Sequence, residues 1–248
     1  MDAILLVTGA GRGIGAATAM LAARRGYAVC VNYLRNRPAA MRVVDAIEHE
    51  GGRAIAVAAD VSVEADVLRL YESIDRQLGP VSALVNNAGM LERQTRVQSI
   101  DAARLQRVFA TNVIGSFLCA REAVLRMSTA NGGSGGAIVN VSSVAARTGS
   151  PNEYVDYAAS KGAIDSFTRG LAAEVANEGI RVNAVRPGFI HTDMHASGGE
   201  PDRIERMKGL VPLGRGGQAD EVAQAILWLL STDASYTTGA FIDVAGGR

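Results

Sequence analysis

The sequence predicts an α/β protein built on a single Rossmann-like, doubly wound parallel sheet of seven strands with helices on both faces. Short apolar runs alternate with longer helical patterns along all 248 residues, and repeated β-α units imply parallel strands joined by right-handed crossovers. Runs such as 138–141 lack regular polar alternation, as expected when both faces of a sheet are covered. Because no shift in composition marks a boundary, residues 1–248 are predicted to form one domain.

The elements are assigned by their length and by the residues at their ends. Short runs of branched apolar residues are predicted as strands at 3–8, 28–32, 53–58, 83–86, 137–142, 180–185 and 240–244. Longer segments between them are predicted as helices at 14–25, 38–50, 64–78, 101–127, 157–177 and 219–230. Pro38 lies near the first turn of the second helix, where a missing N–H costs little. The glycine-rich segment 131–136 is predicted to be a flexible surface loop.

The composition argues against several classes of partner. Lys plus Arg and Asp plus Glu number 25 each, so no net charge attracts nucleic acid or an anionic membrane. No apolar run is expected to span a membrane, and segment 1–7 reads as the start of the first strand rather than a signal peptide. Cys30 and Cys119 are expected to be buried, reduced thiols. These observations favour a cytoplasmic protein.

A glycine-rich loop follows the first strand and opens the first helix. Its sequence, residues 8–15, is Thr-Gly-Ala-Gly-Arg-Gly-Ile-Gly. Glycines allow a tight turn and a close approach of the backbone to a ligand, and free N–H groups at a helix start favour a pyrophosphate. The loop therefore predicts dinucleotide binding through Gly9, Gly11, Arg12, Gly13, Ile14 and Gly15.

The end of the second strand indicates which dinucleotide binds. An acidic side chain there would accept hydrogen bonds from the adenosine ribose, but this chain has Asn32, Tyr33 and, two residues further on, Arg35. Arg12 lies within the glycine loop. Guanidinium groups in the absence of a carboxylate suit a 2′-phosphate. NADP(H) is therefore favoured as the cofactor, with NAD(H) possible.

Tyr157 and Lys161 are separated by one helical turn. Positions i and i+4 lie on the same face of a helix, and an ammonium beside a phenol makes the phenol easier to deprotonate. A Tyr and a Lys at this spacing also occur on ordinary solvated helix faces. The functional interpretation of the pair therefore depends on the motifs around it.

Those motifs resemble the short-chain dehydrogenase/reductase family from near Val7 to the end of the chain. The resemblance is carried by the loop 8–15, by Asn-Asn-Ala-Gly at 86–89, by Ser143, by Tyr157-x3-Lys161 and by Pro-Gly at 187–188. It implies one dinucleotide-binding and catalytic domain. Further cofactor contacts implied by the resemblance are Asp60, Val61, Asn87, Ala88, Gly89, Pro187, Gly188, Ile190 and Thr192, together with Tyr157 and Lys161.

The resemblance also implies a mechanism of hydride transfer between a nicotinamide and a secondary alcohol or ketone. Tyr157 would act as general acid and base, while Lys161 would lower the pKa of the phenol and hold the nicotinamide ribose. Ser143 would bind the substrate oxygen, and Asn112 would hold a water that connects Lys161 to solvent. Ser143 lies fourteen residues before Tyr157, one more than in many members, so Ser142 remains an alternative.

The sequence does not select a substrate. A mixed pocket lining is expected from Met90, Leu91, Ser150, Glu153 and Met194, with Tyr154 as a pocket or packing residue and 195–203 as a mobile lid. A sugar and a 3-oxoacyl compound both remain candidates. His191, Asp193 and His195 are interpreted as ordinary loop residues, so no metal is expected.

A face of small residues on the helix 157–177 suits close packing between subunits, and the family commonly forms tetramers, so a homotetramer is predicted. Packing within one subunit is the alternative. The small residues are Ala159, Ala163, Ser166, Gly170 and Ala173. Two other kinds of protein compete with an enzyme: a non-catalytic dinucleotide sensor or scaffold of the same fold, and a nucleic-acid-binding Rossmann protein, which the neutral charge disfavours.

Overall fold

The computed structural model describes residues 3–248, so Met1 and Asp2 of the N-terminal segment lie outside the described residues. Its strands are β1 Ala3–Val7, β2 Tyr27–Tyr33, β3 Ala54–Ala58, β4 Ala83–Asn86, β5 Gly136–Val141, β6 Ile180–Pro187 and β7 Phe241–Val244. They form one seven-stranded sheet in the order β3-β2-β1-β4-β5-β6-β7, and every neighbouring pair is parallel. The predicted fold class is confirmed.

The helices connect the strands and cover both faces of the sheet. They are α1 Gly13–Arg24, α2 Arg37–His49, α3 Glu64–Gln77, α4 Ala102–Phe109, α5 Gly115–Met127, α6 Ala145–Thr148, α7 Val155–Val175, α8 Met194–Ser197, α9 Arg203–Met207 and α10 Ala219–Leu230. Helices α1, α2 and α10 pack with the sheet in one buried apolar cluster. Helices α3, α5 and α7 contribute to a second cluster. The two cores correspond to the two sides of a doubly wound sheet.

Side chains fix several helix starts in the way that the sequence dictates. The Asn36 side chain accepts a hydrogen bond from the Ala39 N–H at the start of α2, and Pro38 lies in the first turn. Asp101 accepts from the Arg104 N–H at the start of α4 over 2.7 Å. Such caps satisfy N–H groups that have no partner within the helix. They orient the two helices that reach the site described below.

The helix predicted over 101–127 is interrupted. Helices α4 and α5 are separated by a π-helical segment, Ala110–Ile114, which contains the buried Asn112. A π segment inserts an extra residue into the helical register and is frequent at functional sites. The sequence carries no proline at this position, which is why the interruption was not predicted. Its effect is to change the face on which Asn112 lies.

The stretch Ala102–Met127 also corrects the expectation that no apolar run could span a membrane. By length and composition it is a candidate span, with a mean hydropathy of 1.4. However, Val108, Cys119 and Ala123 within it are fully buried. Cys119 and Ala123 pack in the second core, which is the behaviour of a core helix.

The glycine-rich segment 131–136 is more firmly held than a flexible loop. The Gly133 N–H donates to the Ser128 carbonyl over 2.9 Å, and the Gly135 N–H donates to the Met127 carbonyl over 2.7 Å. A Cβ at Gly133 would lie 2.4 Å from the Arg126 carbonyl oxygen. The glycines therefore allow close backbone packing at this turn. Cys30 and Cys119 are free thiols buried in the core, as predicted.

Candidate active site

The glycine loop forms a cradle that side chains would fill. Gly9 and Gly13 have φ values of +62° and +55°, a region that L-residues with side chains rarely adopt. A Cβ at Gly9 would lie 3.0 Å from the Ala88 Cα, and one at Gly13 would lie 3.2 Å from the Thr192 Cγ2. A Cβ at Gly15 would lie 2.5 Å from the Asn87 Nδ2. The loop is therefore closely packed against the segments that follow β4 and β6.

The Asn32 side chain braces this loop. It is 2% exposed, its Oδ1 accepts from the Gly9 N–H over 3.2 Å, and its Nδ2 donates to the Val57 and Ala59 carbonyls. All of these side-chain contacts are internal. The side chain therefore supports the glycine loop, and a contact of Asn32 with the cofactor stays a prediction. The strand end directs the following residues outward.

Thr8 and Asn87 connect the carboxyl ends of β1 and β4. The Thr8 hydroxyl accepts hydrogen bonds from the Asn87 and Ala88 N–H groups, and the Asn87 side chain donates to the Thr8 and Gly9 carbonyls. No role was predicted for Thr8 from the sequence. Its position directly before the first glycine was the only available signal. The two loops that approach a dinucleotide are thus fixed to each other.

The adenosine end of the cleft is open and basic. Arg12 is 63% exposed and lies 3.8 Å from Asp193, while Arg35 is exposed beyond β2. The start of α2 lies beside the loop, since a Cβ at Gly11 would be 3.5 Å from the Ala40 nitrogen. A helix N-terminus and two guanidinium groups suit a phosphate-bearing ligand. The residues present therefore fit a dinucleotide.

Asp60 and Val61 follow β3 and have different surroundings. The Asp60 Oδ1 accepts hydrogen bonds from the backbone N–H and hydroxyl of Ser62, over 2.9 and 2.6 Å. Val61 is 6% exposed and packs against Gly115 at the start of α5. The first oxygen of Asp60 is therefore engaged in a turn. Among the described contacts, its Oδ2 remains the atom that could face an adenine.

The Pro-Gly segment closes the other side of the cradle. The Gly188 N–H donates to the Val244 carbonyl over 3.0 Å, and a Cβ there would lie 2.9 Å from the Ala245 Cα. Ile190 is buried and pairs with Gly217 in an isolated parallel bridge. Thr192 contacts the glycine loop at Gly13. The segment predicted to receive the nicotinamide thus lies next to the loop predicted to bind the pyrophosphate.

Tyr157 and Lys161 lie at the inner end of this cleft. Helix α7 begins two residues earlier than expected, so Tyr157 lies in its first turn. The Lys161 Nζ is 5.6 Å from the Tyr157 ring centroid and donates to the Val141 carbonyl over 2.7 Å. Lys161 is 4% exposed. A cation is therefore fixed beside the phenol by the end of β5.

Burial sets the proton affinity of both groups. It raises the pKa of Tyr157 to about 12, although a hydrogen bond with the Ser143 side chain acts in the opposite direction. It lowers the pKa of Lys161 to about 8, while the Asp165 carboxylate acts to raise it. The expected lowering of the Tyr157 pKa by Lys161 is not seen in the protein alone, where burial is the largest influence on the phenol.

The two adjacent serines have different roles. The Ser143 side chain is hydrogen-bonded to Tyr157, and its hydroxyl accepts from the Ala145 N–H over 3.1 Å. Ser142 is 2% exposed, and its hydroxyl donates to the Asp165 Oδ1 over 2.6 Å. The structure therefore favours Ser143 over Ser142 as the partner of the phenol.

Asn112 holds the backbone beside the site. Its Oδ1 accepts from the Met90 N–H over 2.8 Å, and its Nδ2 donates to the Met90 carbonyl and to the Ser160 hydroxyl, each over 3.1 Å. These contacts engage both ends of the amide. The side chain therefore fixes Met90 and α7 to each other, and the role of Asn112 in holding a water stays a prediction.

Two buried ion pairs support α7 on either side of Tyr157 and Lys161. Arg104 donates from two nitrogens to the Asp156 carboxylate over 2.6 and 3.2 Å. Arg186 donates from two nitrogens to a single oxygen, the Asp165 Oδ2, over 3.0 and 2.6 Å. The Arg104 pair engages both carboxylate oxygens, and such a bidentate pair restricts orientation as well as position. Neither pair was predicted, because the partners are far apart in the chain.

A cavity of about 320 Å³ adjoins Tyr157 and Ser143. Of the predicted lining, Leu91, Ser150, Glu153 and Met194 border it, as does Tyr154, whereas Met90 is not among its lining residues. The lining residues that were not predicted include Phe189, Arg203, Met207 and Arg248. Phe189 follows the Pro-Gly motif and Arg203 ends the predicted lid, whereas Met207 and Arg248 lie outside any recognisable motif.

The predicted lid contains two short helices. Helix α8 covers Met194–Ser197, and α9 begins at Arg203, which forms an ion pair with Glu153. Arg203 is 6% exposed, and its guanidinium lies 4.9 Å from the Tyr154 ring centroid. The segment is thus attached to the cavity wall. The side chain of His195 lies outside the description, and no group of three metal-ligating side chains occurs in the described part of the chain.

The chain is similar to known proteins over nearly its whole length. A family model described as enoyl-(acyl carrier protein) reductase matches residues 9–248. An uncharacterized oxidoreductase, YgfF, of Escherichia coli (strain K12) is 62% identical over 246 residues, covering 99% of this chain and 100% of that protein. A 3-oxoacyl-[acyl-carrier-protein] reductase of Bos taurus is 41% identical over 247 residues, covering 100% and 98%.

A solved structure has the same architecture. The crystal structure of a short-chain type dehydrogenase/reductase from Mycobacterium marinum superposes with a TM-score of 0.93 at 32% sequence identity. The match covers 99% of this chain and 94% of that one. Similarity of this extent includes both the cradle and the cavity described above.

Proposed function

The chain belongs to the short-chain dehydrogenase/reductase family, and we propose that it transfers a hydride between a nicotinamide cofactor and a secondary alcohol or ketone, with Tyr157 as general acid and base. The observation that carries this proposal is the Tyr157 hydroxyl, hydrogen-bonded to Ser143 at a cavity and backed by the buried Lys161. The protein is an oxidoreductase of this family. Its cofactor, substrate and catalytic residues are the proposal.

The proton chemistry follows from the environment of Tyr157. When bound, the nicotinamide supplies or accepts the hydride at its C4 atom. Because burial raises the pKa of Tyr157 to about 12, the phenol is protonated at neutral pH and can donate to a developing alkoxide. The Ser143 hydroxyl donates a hydrogen bond to the same oxygen as its charge grows. These properties favour ketone reduction at neutral pH.

Lys161 and the positive end of α7 favour the phenolate that remains after proton transfer. Lys161 is fixed by the Val141 carbonyl, and Tyr157 lies in the first turn of α7, where the helix dipole favours negative charge. The Asp165 carboxylate favours the protonated form of Lys161. In the oxidative direction the same groups stabilise the base that takes the alcohol proton. Lys161 would also hold the nicotinamide ribose.

Asn112 completes the set as a positioning residue. Its amide binds Met90 and Ser160, so it fixes the segment that follows β4 against α7. Ser160 in turn donates to the Tyr157 carbonyl over 2.7 Å. Loss of this support would move the backbone beside the reacting groups, and small displacements are costly in catalysis.

Two features support NADP(H) over NAD(H). Arg12 and Arg35 are exposed at the adenosine end, and no carboxylate follows β2 to accept bonds from a ribose. The start of α2 also faces this region, so its dipole adds to the attraction for a phosphate. The cofactor would be held by the loop 9–15, Asp60, Val61, the segment 87–89 and the segment 187–192, together with Tyr157 and Lys161.

The assembly would be a homotetramer of single-domain subunits spanning residues 1–248. On α7, Ala159, Ser166, Gly170 and Ala173 are exposed, which argues against packing of this face within one subunit. Neighbouring apolar side chains are also exposed, with Phe117 at 47%. Monomers at micromolar concentration in light scattering would contradict this assembly. The buried, reduced thiols suit a cytoplasmic location.

The proposed function is tested by combining a binding and a turnover assay. Fluorescence titration with NADPH and NADH establishes cofactor binding, and a panel of ketones and secondary alcohols, including a 3-oxoacyl thioester, establishes turnover. Tyr157→Phe should lower kcat by about a hundredfold or more while leaving cofactor affinity close to that of the wild type. Near-normal turnover of Tyr157→Phe would refute the role of Tyr157. Cofactor binding without turnover of any compound would favour a sensor or scaffold.

A further inference from the structure

Arg248 carries an unused hydrogen-bonding group at the substrate cavity. Its side chain lines the cavity together with Tyr157 and Ser143. Its Nη1 is buried and has no hydrogen-bond partner among residues 3–248. A buried guanidinium nitrogen without a partner loses its hydration without compensation. Because Arg248 as a whole is only partly buried and borders the cavity, its guanidinium can offer N–H donors to an acceptor on a ligand.

The Arg248 guanidinium is held in place by an aromatic ring. Its Cζ lies 4.5 Å from the Phe189 ring centroid, and Phe189 follows the Pro-Gly segment directly. A cation over an aromatic face is attracted without using its N–H donors. The planar fork of Arg248 is therefore oriented while its hydrogen-bonding capacity remains available.

The other guanidinium at the cavity is already neutralised. Arg203 forms an ion pair with Glu153, and Glu153 is the acidic residue that lines the cavity in the described chain. Among the salt bridges of the described chain none involves Arg248. One positive charge at the wall of the cavity is therefore not matched by an acidic side chain.

We propose that the cavity binds a ketone or secondary alcohol that carries a carboxylate, and that Arg248 binds this carboxylate. The inference rests on the proposed function and names its substrate class. A carboxylate has the planar, two-oxygen geometry that a guanidinium fork matches. The cavity is also lined by the apolar residues Leu91, Met194 and Met207, which suit a carbon skeleton. A volume of about 320 Å³ lies at the small end of ligand pockets.

The carboxylate would not take part in the reaction. In reduction, the hydride from the nicotinamide C4 forms the new C–H bond at the carbonyl carbon, and the π electron pair moves to oxygen. Tyr157 supplies the proton that completes the alcohol. The ketone is reduced, the dihydronicotinamide is oxidised, and the carboxylate leaves unchanged. Arg248 therefore acts as a specificity-determining residue at the far end of the substrate.

The test compares charged and neutral substrates of the same shape. Linear methyl ketones ending in a carboxylate, from levulinate to longer homologues, are each paired with the corresponding primary amide. The ratio of kcat/KM for carboxylate over amide is measured for the wild type, Arg248→Gln and Arg248→Lys. Arg42→Gln serves as the matched control, because it removes an exposed guanidinium from α2 without touching the cavity.

The expected result is a preference of the wild type for at least one carboxylate over its amide. Arg248→Gln should lower that ratio by about tenfold to a hundredfold, mainly through KM, as expected for a hydrogen bond to a charged group. Arg248→Lys should retain part of the ratio, and Arg42→Gln should retain all of it. An unchanged ratio in Arg248→Gln, or a wild type that prefers the amides or a neutral 3-oxoacyl thioester, would overturn the proposal.

A binding measurement separates this inference from the proposed function. Calorimetry of the same carboxylates is performed on cofactor-saturated Tyr157→Phe, with and without Arg248→Gln. If the wild type reduces no ketone, the proposed function fails, yet saturable binding that requires Arg248 would still support the carboxylate site. If the carboxylates do not bind, or bind equally without Arg248, the carboxylate site is refuted even where neutral ketones are reduced.

Discussion

The cofactor cradle and the substrate cavity meet at Tyr157, but the sequence determines them in different ways. The cradle is formed by backbone at the carboxyl ends of neighbouring strands, and its glycines leave no room for a Cβ. The cavity is lined by side chains from dispersed segments, including Leu91, Met207 and Arg248. The first region is defined by short contiguous motifs. The second is defined by tertiary packing.

This difference explains what each region can tolerate. At Gly9 and Gly13 a positive φ coincides with a close neighbour, so almost any substitution disturbs the backbone. At the cavity wall, Met194 or Met207 can change size without altering the fold, because they lie on short helices outside the sheet. The family can therefore keep one cofactor chemistry while the substrate varies.

The largest effect on kcat is expected at Ser143, which lies where the cradle and the cavity meet. Ser143→Ala removes the hydrogen bond to Tyr157 and should lower kcat by about a hundredfold to a thousandfold, as loss of an oxyanion donor does. Ser142→Ala removes the bond to Asp165 and should instead cost about 1–3 kcal/mol of folding stability. Steady-state kinetics and thermal unfolding of both variants measure the two effects.

Each serine variant is the control for the other. The account requires that kcat falls mainly in Ser143→Ala and that the free energy of unfolding falls mainly in Ser142→Ala. If Ser142→Ala instead showed the greater loss of kcat, the assignment of the two serines would be reversed.

A moderate effect is expected at the open end of the cradle. Arg35→Ala should weaken NADPH binding by roughly fivefold to tenfold, because an exposed charge-assisted contact to a phosphate is lost, and it should leave NADH binding nearly unchanged. Fluorescence titration with both cofactors measures the difference, with Arg42→Ala as the control for surface charge. Equal losses for NADPH and NADH would remove the 2′-phosphate interpretation.

The smallest effect is expected on the pH dependence of kcat/KM, through the charge of Lys161. The pKa of Lys161 is lowered to about 8 by burial, and Asp165 acts to raise it, so Lys161 loses its proton as the pH rises through about 8. Asp165→Asn removes the carboxylate that favours the cation. The alkaline limb of kcat/KM for ketone reduction should therefore move to lower pH, by about one pH unit.

The pH dependence of kcat/KM in wild type, Asp165→Asn and the surface variant Asp45→Asn measures this shift. Asp45 is exposed on α2, so its variant should retain the wild-type limb. A limb that stays in place in Asp165→Asn, or moves to higher pH, would show that Asp165 does not act through Lys161.

The sequence predicted the fold and the cradle because both follow from local patterns. The parallel direction of the strands follows from repeated β-α units, and the loop 8–15 is contiguous. The inward orientation of the Asn32 side chain was not foreseen, because a position at a strand end does not reveal which way a side chain turns. The π segment at Asn112 and the raised pKa of Tyr157 were missed since both depend on burial by distant residues. Arg248 carries no motif at all.

Isotopic labelling tests whether Tyr157 supports hydride transfer to a carbonyl carbon. NADPH carrying deuterium at the transferable C4 position is incubated with the protein and a ketone that it reduces, and the alcohol is analysed by mass spectrometry and NMR. The account predicts one deuterium on the carbinol carbon with the wild type and negligible labelled product with Tyr157→Phe. Binding of NADPH without transfer of deuterium to any ketone, or equal labelling by Tyr157→Phe, would contradict it.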